Sequence, residues 1–423
     1  MKILLYGINY APELIGVGKY SGEMGAWLAG RGHEVRVVTA PPYYPAWTVM
    51  APYRATRWQR ETVANVRVQR CPLWVPRFRS GAARTVHLAS FALSSAPPAW
   101  WQAVIWRPDV VISVAPTLAS APAARLAAAL AGARSWLHVQ DFELDAAYGL
   151  GLLKTDTGLR KRVGQFLERH ILGAFDRVST ISPRMRERLL QKGVAPERTV
   201  LFPNWVDTSE IFPMAAPGAL RAELDLPEDA IVALYAGNLG EKQGIEVLLD
   251  VAARLRQGDP EERRVVLVLS GEGSVKKDIA RIARQISNVR LLPLQPADRL
   301  NVLLNLADIH LLPQRADAAD LVMPSKLGGM LASGRPVIAA AARGTQIAEE
   351  VAGCGSVVAP QDGAAMAAAL SRLARLPDER RRLGQAARER AQAGWDKARL
   401  LENFERDLRI LVDGEAAPEK AAL

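Results

Sequence analysis

The chain has 423 residues, of which 49% are hydrophobic and 23% charged, and its formal net charge is +10. This length allows two domains with separate cores, and the composition argues against a disordered or fibrous protein. The two cysteines, Cys71 and Cys354, lie far apart in the sequence, so we expect no disulfide framework, and a reducing cytosol fits best.

We predict that the N-terminal region belongs to the folded protein and is neither a secretory signal nor a membrane span. Its opening, MKILLYGINY, has one lysine before a short apolar run, which is typical of a buried first strand and not of a secretory signal. Further on, the stretch from Val86 to Trp106 has His87 as its only ionisable residue and is long enough to span a membrane. Pro97 and Pro98 lie in its middle, so we predict one or two short apolar helices instead.

Arginines and tryptophans alternate in the first half of the chain. Between Trp47 and Trp106 lie six of the ten tryptophans, together with Arg54, Arg57, Arg60, Arg67, Arg70, Arg77, Arg79 and Arg84. Arginine and tryptophan together suit the headgroup layer of an anionic membrane. A solvated arginine face beside core tryptophans is the alternative, and the sequence leaves both open.

Short apolar runs alternate with helical stretches twice along the chain. This pattern predicts an α/β fold of two tandem Rossmann-like domains, each with a parallel sheet covered on both faces. The predicted strands are KILLYGIN, EVRVVTA, VRVQRCPL, DVVISVAP, SWLHVQD and DRVSTIS, then AIVALYAG, RVVLVLSG, NVRLLPL, DIHLLP, RPVIAAA and GSVVAP. We predict domains over 1–205 and 206–394 and a disordered tail over 413–423. Between them we predict a C-terminal helix over 395–412, which either caps the second domain or packs back on the first.

Glycine-rich turns follow three of the predicted strands. Gly16 and Gly18 precede the first helix, YAGNLGEKQG opens the second domain, and SGEG follows the next strand. Glycines let a phosphate approach the backbone, and a helix N-terminus favours anions, so the three turns together predict a phosphorylated ligand. Ser325 and Lys326 lie at another predicted helix start, where anions are also favoured.

His138 lies near the carboxyl end of a first-domain strand. It could contact a polar ligand there, and the alternative is a structural, hydrogen-bonded histidine. Asp141, Glu143 and Asp145 follow it, but the five histidines are scattered through the sequence. We therefore predict no metal and no other cofactor.

Several of these segments resemble one family. PNWVD at 203–207, AGNLGEKQG, SGEG and PSKLGGMLASGRPV resemble the retaining GT-B glycosyltransferases of the sucrose-synthase-like group. The stretch GINYAPELIGVGKYSGEMGAWLAGRGHEVRVVTAPPYYP is similar to the WcaI-type glycosyltransferases of colanic acid and related exopolysaccharide synthesis. The likeness covers nearly the whole chain. It implies a GT-B fold with an acceptor-side first domain, a donor-binding second domain and a cleft between them.

The resemblance also implies residue roles. His138 approaches the transferred sugar, and Lys242 neutralises the diphosphate leaving group, where charge develops in the transition state. Leu292, Pro293 and Leu294 belong to the segment whose backbone reads the base. The other donor-binding positions are Gly16, Gly18, Asn238, Gly240, Gly271, Glu272, Ser325 and Lys326.

Three positions depart from the family pattern. The family usually has arginine at the position of Asn238 and glutamates at the positions of Leu321 and Gly329, the second of which holds the donor ribose. We hypothesise that Lys326 replaces the missing cation.

The expected reaction is transfer of a sugar with retention, without a metal, from a GDP- or UDP-linked donor, GDP-fucose being one candidate. The expected acceptor is a polyprenyl-diphosphate-linked oligosaccharide in exopolysaccharide synthesis. We expect a cytoplasmic protein, peripheral at the inner face of the cytoplasmic membrane, with the anionic membrane surface as a partner and no nucleic acid. The alternatives are a sugar-nucleotide epimerase of the same fold and a catalytically weakened binding subunit. An oxidoreductase is disfavoured, because neither half carries the full dinucleotide fingerprint.

Overall fold

The structure is a computed structural model that describes residues 1–77, 81–116, 118–142, 158–215, 217–240, 243–315 and 325–414. Its residues divide into two compact units. Unit 1 comprises Met1–Asn204 and Arg399–Leu423, and unit 2 comprises Trp205–Ala398.

Unit 1 is built around one sheet. Its strands are β1 (Lys2–Gly7), β2 (Glu34–Thr39), β3 (Gln59–Val63), β4 (Val66–Arg70), β5 (Val110–Ala115), β6 (Arg134–Val139), β7 (Arg177–Thr180) and β8 (Thr199–Leu201). They are ordered β3-β4-β2-β1-β5-β6-β7-β8. Among these described strands β3 and β4 alone pair antiparallel, and the other neighbours run parallel.

β3 and β8 were not predicted from the sequence, although all six strands predicted for the first half of the chain are present. β3 and β4 form a hairpin around Ala64 and Asn65, which have φ angles of 49° and 64°. Two successive residues with positive φ are what a tight two-residue hairpin turn requires. An Ala-Asn pair is a weaker sequence signal for this turn than Asn-Gly, so β3 was not predicted.

Unit 2 contains a second parallel sheet, in which all six predicted second-half strands are present. Its strands are β9 (Ile231–Ala236), β10 (Val265–Ser270), β11 (Val289–Leu292), β12 (Ile309–Leu312), β13 (Val337–Ala340) and β14 (Gly355–Val358). Their order is β11-β10-β9-β12-β13-β14. Most of their side chains are buried, as expected for a sheet covered on both faces.

Helices connect these strands. Those within the described residues are α1 (Gly16–Gly30), α2 (Gly81–Trp106), α3 (Ala121–Ala131), α4 (Leu159–Gly173), α5 (Pro183–Gln191), α6 (Gly218–Glu223), α7 (Glu246–Gln257), α8 (Pro260–Arg263), α9 (Lys276–Ala283), α10 (Leu300–Asn305), α11 (Lys326–Ala332), α12 (Gln346–Val351), α13 (Gly363–Arg375), α14 (Pro377–Gly394) and α15 (Lys397–Asp413).

The apolar stretch ending at Trp106 forms one continuous helix of 26 residues, α2, and the prediction of one or two short helices was wrong. Pro97 and Pro98 lack the N–H groups that would bond the carbonyls of Leu93 and Ser94. The Trp58 indole N–H donates to the Ser94 carbonyl over 3.2 Å and satisfies one of these acceptors, so the helix continues through the prolines. Among the described helices, none combines the length and apolar character that crossing a membrane requires.

The C-terminal helix α15 packs on the sheet of unit 1. The Phe404 ring stacks on Phe202 with 4.3 Å between centroids and meets the buried Trp136 ring edge-on at 5.0 Å. Beside it, the Glu405 carboxylate accepts hydrogen bonds from His33 at 3.0 Å and from Arg31 at 3.1 Å. Aromatic packing and a buried ion cluster therefore fix the helix to unit 1.

The ion cluster of Glu405, His33 and Arg31 contributes more to stability at neutral pH than at acidic pH. Burial lowers the pKa of His33, whose Nε2 lies 3.0 Å from the Glu405 carboxylate. Burial alone would raise the pKa of Glu405, but hydrogen bonds from Arg409, His33 and Arg31 together outweigh it and lower that pKa. Because both pKa values are lower in the folded state, the unfolded state binds more protons as the pH falls. The folded state is therefore less stable at acidic pH than at neutral pH.

We expect Phe404→Ala to destabilise unit 1, because it opens a cavity between α15 and the sheet. Truncating a buried phenylalanine costs about 3–5 kcal/mol in the free energy of unfolding. Urea denaturation followed by tryptophan fluorescence measures this change. Phe166→Ala, at a site 59% exposed, is the matched control and should alter stability little. A loss below about 1 kcal/mol in Phe404→Ala would show that α15 is not fixed by this contact.

Candidate active site

Two glycine-rich turns lie against each other at the carboxyl edge of the unit 2 sheet. The Leu239 N–H donates to the Glu272 carbonyl over 2.8 Å, and the Gly237 N–H donates to the Ser270 carbonyl over 2.9 Å. A Cβ atom on Gly271 would lie 1.8 Å from the Gly237 carbonyl oxygen. Only glycine fits there, and its φ of 152° is also one that other residues rarely adopt. The turns after β9 and β10 thus form one backbone-lined surface.

Lys326 adds a cation to this surface. Its Nζ lies 4.1 Å from the centroid of the Tyr235 ring, and its aliphatic stem covers Gly237, whose Cβ would lie 3.3 Å from the lysine Cδ. The Tyr235 hydroxyl donates to the Asn238 carbonyl over 2.6 Å and so ties the same ring to the turn. Burial lowers the pKa of Lys326 to about 7. Tyr235 was not predicted as a site residue, because its place in an apolar run is typical of an ordinary core residue of β9.

The segment after β11 completes this edge. Leu292 pairs with Ser270 across the sheet, and the Ser270 hydroxyl donates to the Pro293 carbonyl over 3.3 Å. Leu294, which follows, is 65% exposed. The structure therefore brings together most of the predicted donor-binding positions of unit 2, which are Asn238, Gly240, Gly271, Glu272, Leu292, Pro293, Leu294, Ser325 and Lys326. Lys242 lies outside the described residues, so its predicted role stays a prediction.

In the first βα turn of unit 1, a buried carboxylate explains one of the glycines. The Glu13 side chain accepts hydrogen bonds from the backbone N–H groups of Tyr43 and Tyr44, both over 3.0 Å, and from the Asn9 amide over 2.9 Å. A Cβ on Gly18 would lie 2.4 Å from the Glu13 carboxylate oxygen. Gly18 is thus required to accommodate Glu13, a contact that the sequence analysis did not foresee. The sequence did contain one signal for this contact, which is an acidic residue, Glu13, between a buried strand and a helix.

Gly16 starts α1, and no side chain caps this helix at Ile15. Its φ of 63° is left-handed, which favours glycine. The free N–H groups of the first helical turn are compatible with the predicted anion contact, but that contact stays a prediction.

His138 is a core residue of β6. Its ring packs on Phe202 with 5.1 Å between centroids, and its side chain is buried. The Trp136 indole donates to the Ser179 hydroxyl over 2.8 Å, and this hydroxyl forms a second hydrogen bond of 2.8 Å with His138 Nδ1. Burial lowers the pKa of His138 to about 3, so the imidazole is neutral. This is the geometry of a structural histidine; the sugar contact implied by the resemblance stays a prediction.

The described residues offer no cluster of three or more histidine, cysteine, aspartate or glutamate side chains that could hold a metal ion. Asp141 is described, whereas Glu143 and Asp145 lie outside the described residues. The absence of a metal requirement therefore stays a prediction.

Two family models match the chain. A glycosyl transferase 4-like domain covers residues 16–205, and a model of glycosyl transferases group 1 covers residues 218–390. The chain is 43% identical over 417 residues to WcaI of Escherichia coli K12, covering 97% of this chain and 100% of that protein. That relative's name provisionally assigns it a glycosyl transferase role in colanic acid biosynthesis. A D-inositol 3-phosphate glycosyltransferase of Streptomyces bingchenggensis is 31% identical, over 55% of this chain and 52% of that protein.

Solved structures show the same fold at lower identity. Sucrose-phosphate synthase from Thermosynechococcus elongatus has a TM-score of 0.72 at 20% identity and covers 98% of this chain and 100% of its own. HepE of Anabaena, in complex with UDP, has a TM-score of 0.69 at 15% identity, over 96% of this chain and 99% of its own. Two Rossmann-like units, both family models and a full-length relative agree, and the chain belongs to the GT-B glycosyltransferases.

Proposed function

We propose that this glycosyltransferase moves a sugar, with retention, from a nucleotide-sugar donor to a polyprenyl-diphosphate-linked oligosaccharide in exopolysaccharide synthesis. The pathway is proposed to be like that of colanic acid, because the full-length E. coli relative bears that name. One observation carries the donor assignment: the backbone-lined edge of unit 2, with the Lys326 ammonium over Tyr235.

A donor diphosphate fits this edge chemically. Its oxygens would accept hydrogen bonds from the backbone of the glycine-rich turns, where no side chain prevents close approach. Lys326 supplies positive charge to the diphosphate, which gains charge as it leaves. Lys242 is proposed to share this role, and His138 to act near the sugar, as the family resemblance implies. We propose no metal requirement, since lysine charge would take the metal's place at the leaving group.

The base would lie on the segment after β11. Pro293 and Leu294 are exposed there, so a planar base can contact them while bonding to the adjacent backbone. A GDP- or UDP-linked sugar satisfies this arrangement, and GDP-fucose is one candidate, as the family resemblance implies. HepE of Anabaena, which shares the fold, has also been solved in complex with UDP-glucose.

The acceptor places the reaction at a membrane. A polyprenyl diphosphate carries its sugar at the bilayer surface, so we propose that the protein acts at the inner face of the cytoplasmic membrane as a peripheral protein. The basic, tryptophan-rich stretch of unit 1 supports this location, because it suits anionic headgroups.

The reaction can be tested with purified protein, a panel of GDP- and UDP-sugars, and polyprenyl-diphosphate-linked oligosaccharides. We expect mass spectrometry to show one added sugar only when donor and acceptor are both present, and NMR to show the donor's anomeric configuration in the product. Conversion of the nucleotide sugar to an isomer without acceptor would support the epimerase instead. Binding of the donor without any turnover would support the weakened binding subunit.

Lys326→Met should weaken nucleotide binding by about 10–150-fold, because it removes a charge-assisted contact worth about 1.5–3 kcal/mol. Lys326→Arg should retain most of the affinity. Calorimetric titration with the nucleoside diphosphate measures both, and Lys277→Met, at an exposed site in α9, is the control for the loss of one charge. Unchanged affinity in Lys326→Met would refute the cation role.

The affinity of the wild-type protein should also depend on pH. Because the pKa of Lys326 is lowered to about 7, its ammonium is charged below that value and loses its proton above it. Nucleotide binding should therefore weaken as the pH rises above about 7, while a bound diphosphate shifts the transition upward. The Lys326→Arg variant should lack this dependence, since a guanidinium stays protonated. A purely structural lysine would give both proteins the same profile.

A further inference from the structure

Nearly all of the net charge resides in one segment of unit 1. Residues 35–108 contain ten arginines, no lysine and one acidic residue, Glu61, so they carry +9 of the chain's +10. Glu61 itself forms an ion pair of 2.6 Å with the buried Arg70. Glu34, immediately before the segment, forms an ion pair of 3.2 Å with Arg36, whereas Arg60 and Arg67 are exposed.

The helix α2, within this segment, has an apolar outer face. Its opposite face is buried in unit 1, where Phe91, Ala99 and Ala103 are fully enclosed. The outer face nevertheless carries large apolar side chains at helical spacing. Their exposed fractions are 52% for Val86, 77% for Leu93, 64% for Trp101, 48% for Val104 and 64% for Ile105. This outer stripe extends about 29 Å along the helix axis, at 1.5 Å per residue.

The stripe adjoins a cavity lined by arginines. Trp101 and Ile105 line this cavity of about 380 Å³ together with Arg36, Arg60 and Arg67. Glu61 also lines it, but is engaged by Arg70. The cavity therefore places guanidinium groups directly beside the apolar end of the stripe.

The arginines of this cavity differ in how firmly they are fixed. The Arg36 guanidinium lies 4.3 Å from the Trp106 ring centroid and donates to Gln102 over 2.7 Å. Arg60 donates to the Gln69 amide oxygen over 2.8 Å. Arg67 is exposed and has no carboxylate within ion-pair distance in the described part of the chain. Arg36 also forms an ion pair of 3.2 Å with Glu34, so Arg60 and Arg67 are the groups that can bind phosphate oxygens without first breaking an ion pair to a described carboxylate.

We propose that the outer stripe of α2 and the adjoining arginine cavity dock this protein on an anionic bilayer. Trp101 and Ile105 enter the boundary between headgroups and acyl chains, and Arg60 and Arg67 bind lipid phosphates. An amphipathic helix lies in the membrane plane in this way, bound by its apolar face and by its cationic flanks. A second copy of the chain is a poorer occupant, since two faces with this excess of arginine repel each other.

The docking proposal depends on the proposed function only in that a lipid-linked acceptor brings the enzyme to a membrane. Vesicle binding itself needs no turnover, so the two can fail separately. Loss of nucleotide binding or transfer in a protein that still binds vesicles would count against the proposed function alone.

Co-sedimentation with vesicles of phosphatidylglycerol and phosphatidylcholine, compared with phosphatidylcholine alone, tests the docking. We expect wild-type protein to bind the anionic vesicles and to dissociate as salt is added. Trp101→Glu/Ile105→Glu should lose at least about ten-fold in affinity, because it removes apolar burial at the interface. Arg60→Gln/Arg67→Gln should lose about five-fold per arginine on anionic vesicles only.

Leu126→Glu/Leu130→Glu, which changes two exposed leucines of α3, is the matched control and should bind vesicles as the wild type does. Thermal unfolding and nucleotide titration should be the same in all four proteins. Absence of wild-type binding at low salt would overturn the proposal. So would a Trp101→Glu/Ile105→Glu variant that binds vesicles normally, whether or not its oligomeric mass changes, because the stripe would then serve a protein contact or none.

Discussion

The contact between the two glycine-rich turns of unit 2 is the constraint on which the candidate donor site depends. Gly271 lies so close to the Gly237 carbonyl that no side chain fits between them. The two turns are held by backbone hydrogen bonds and can approach a ligand without side chains in between. Lys326 and Tyr235 then add charge and rigidity at one side of this backbone surface.

Twelve of the fourteen described strands could be predicted from the sequence, because buried parallel strands are continuous apolar runs bounded by turn residues. Elements that depend on distant partners could not. The helix α2 continues through Pro97 and Pro98 with the help of Trp58, which lies far away in the sequence. β3 was missed for a local reason, because its hairpin turn consists of Ala64 and Asn65, a pair that is a weak sequence signal for such a turn.

The candidate site shows the same division. The glycine turns of unit 2 were predicted, since local sequence determines them. The reason for Gly18 was not, because it lies in the buried Glu13 carboxylate and its bonds to Tyr43 and Tyr44. The sugar contact of His138 was assigned by resemblance. Its hydrogen bond to Ser179 depends on the pairing register of two strands, which the sequence alone does not determine. The roles of Lys242 and the predicted domain limits remain predictions.

The uneven distribution of charge has a consequence for how the molecule meets its surroundings. Residues 35–108 of unit 1 hold nearly all of the net positive charge, and an uneven distribution of charge gives a protein an electric dipole. A dipole turns in the field of a charged surface before it touches that surface, so the fraction of productive encounters rises. At the anionic surface proposed above, the arginines of unit 1 would favour one orientation of the protein before α2 makes any contact.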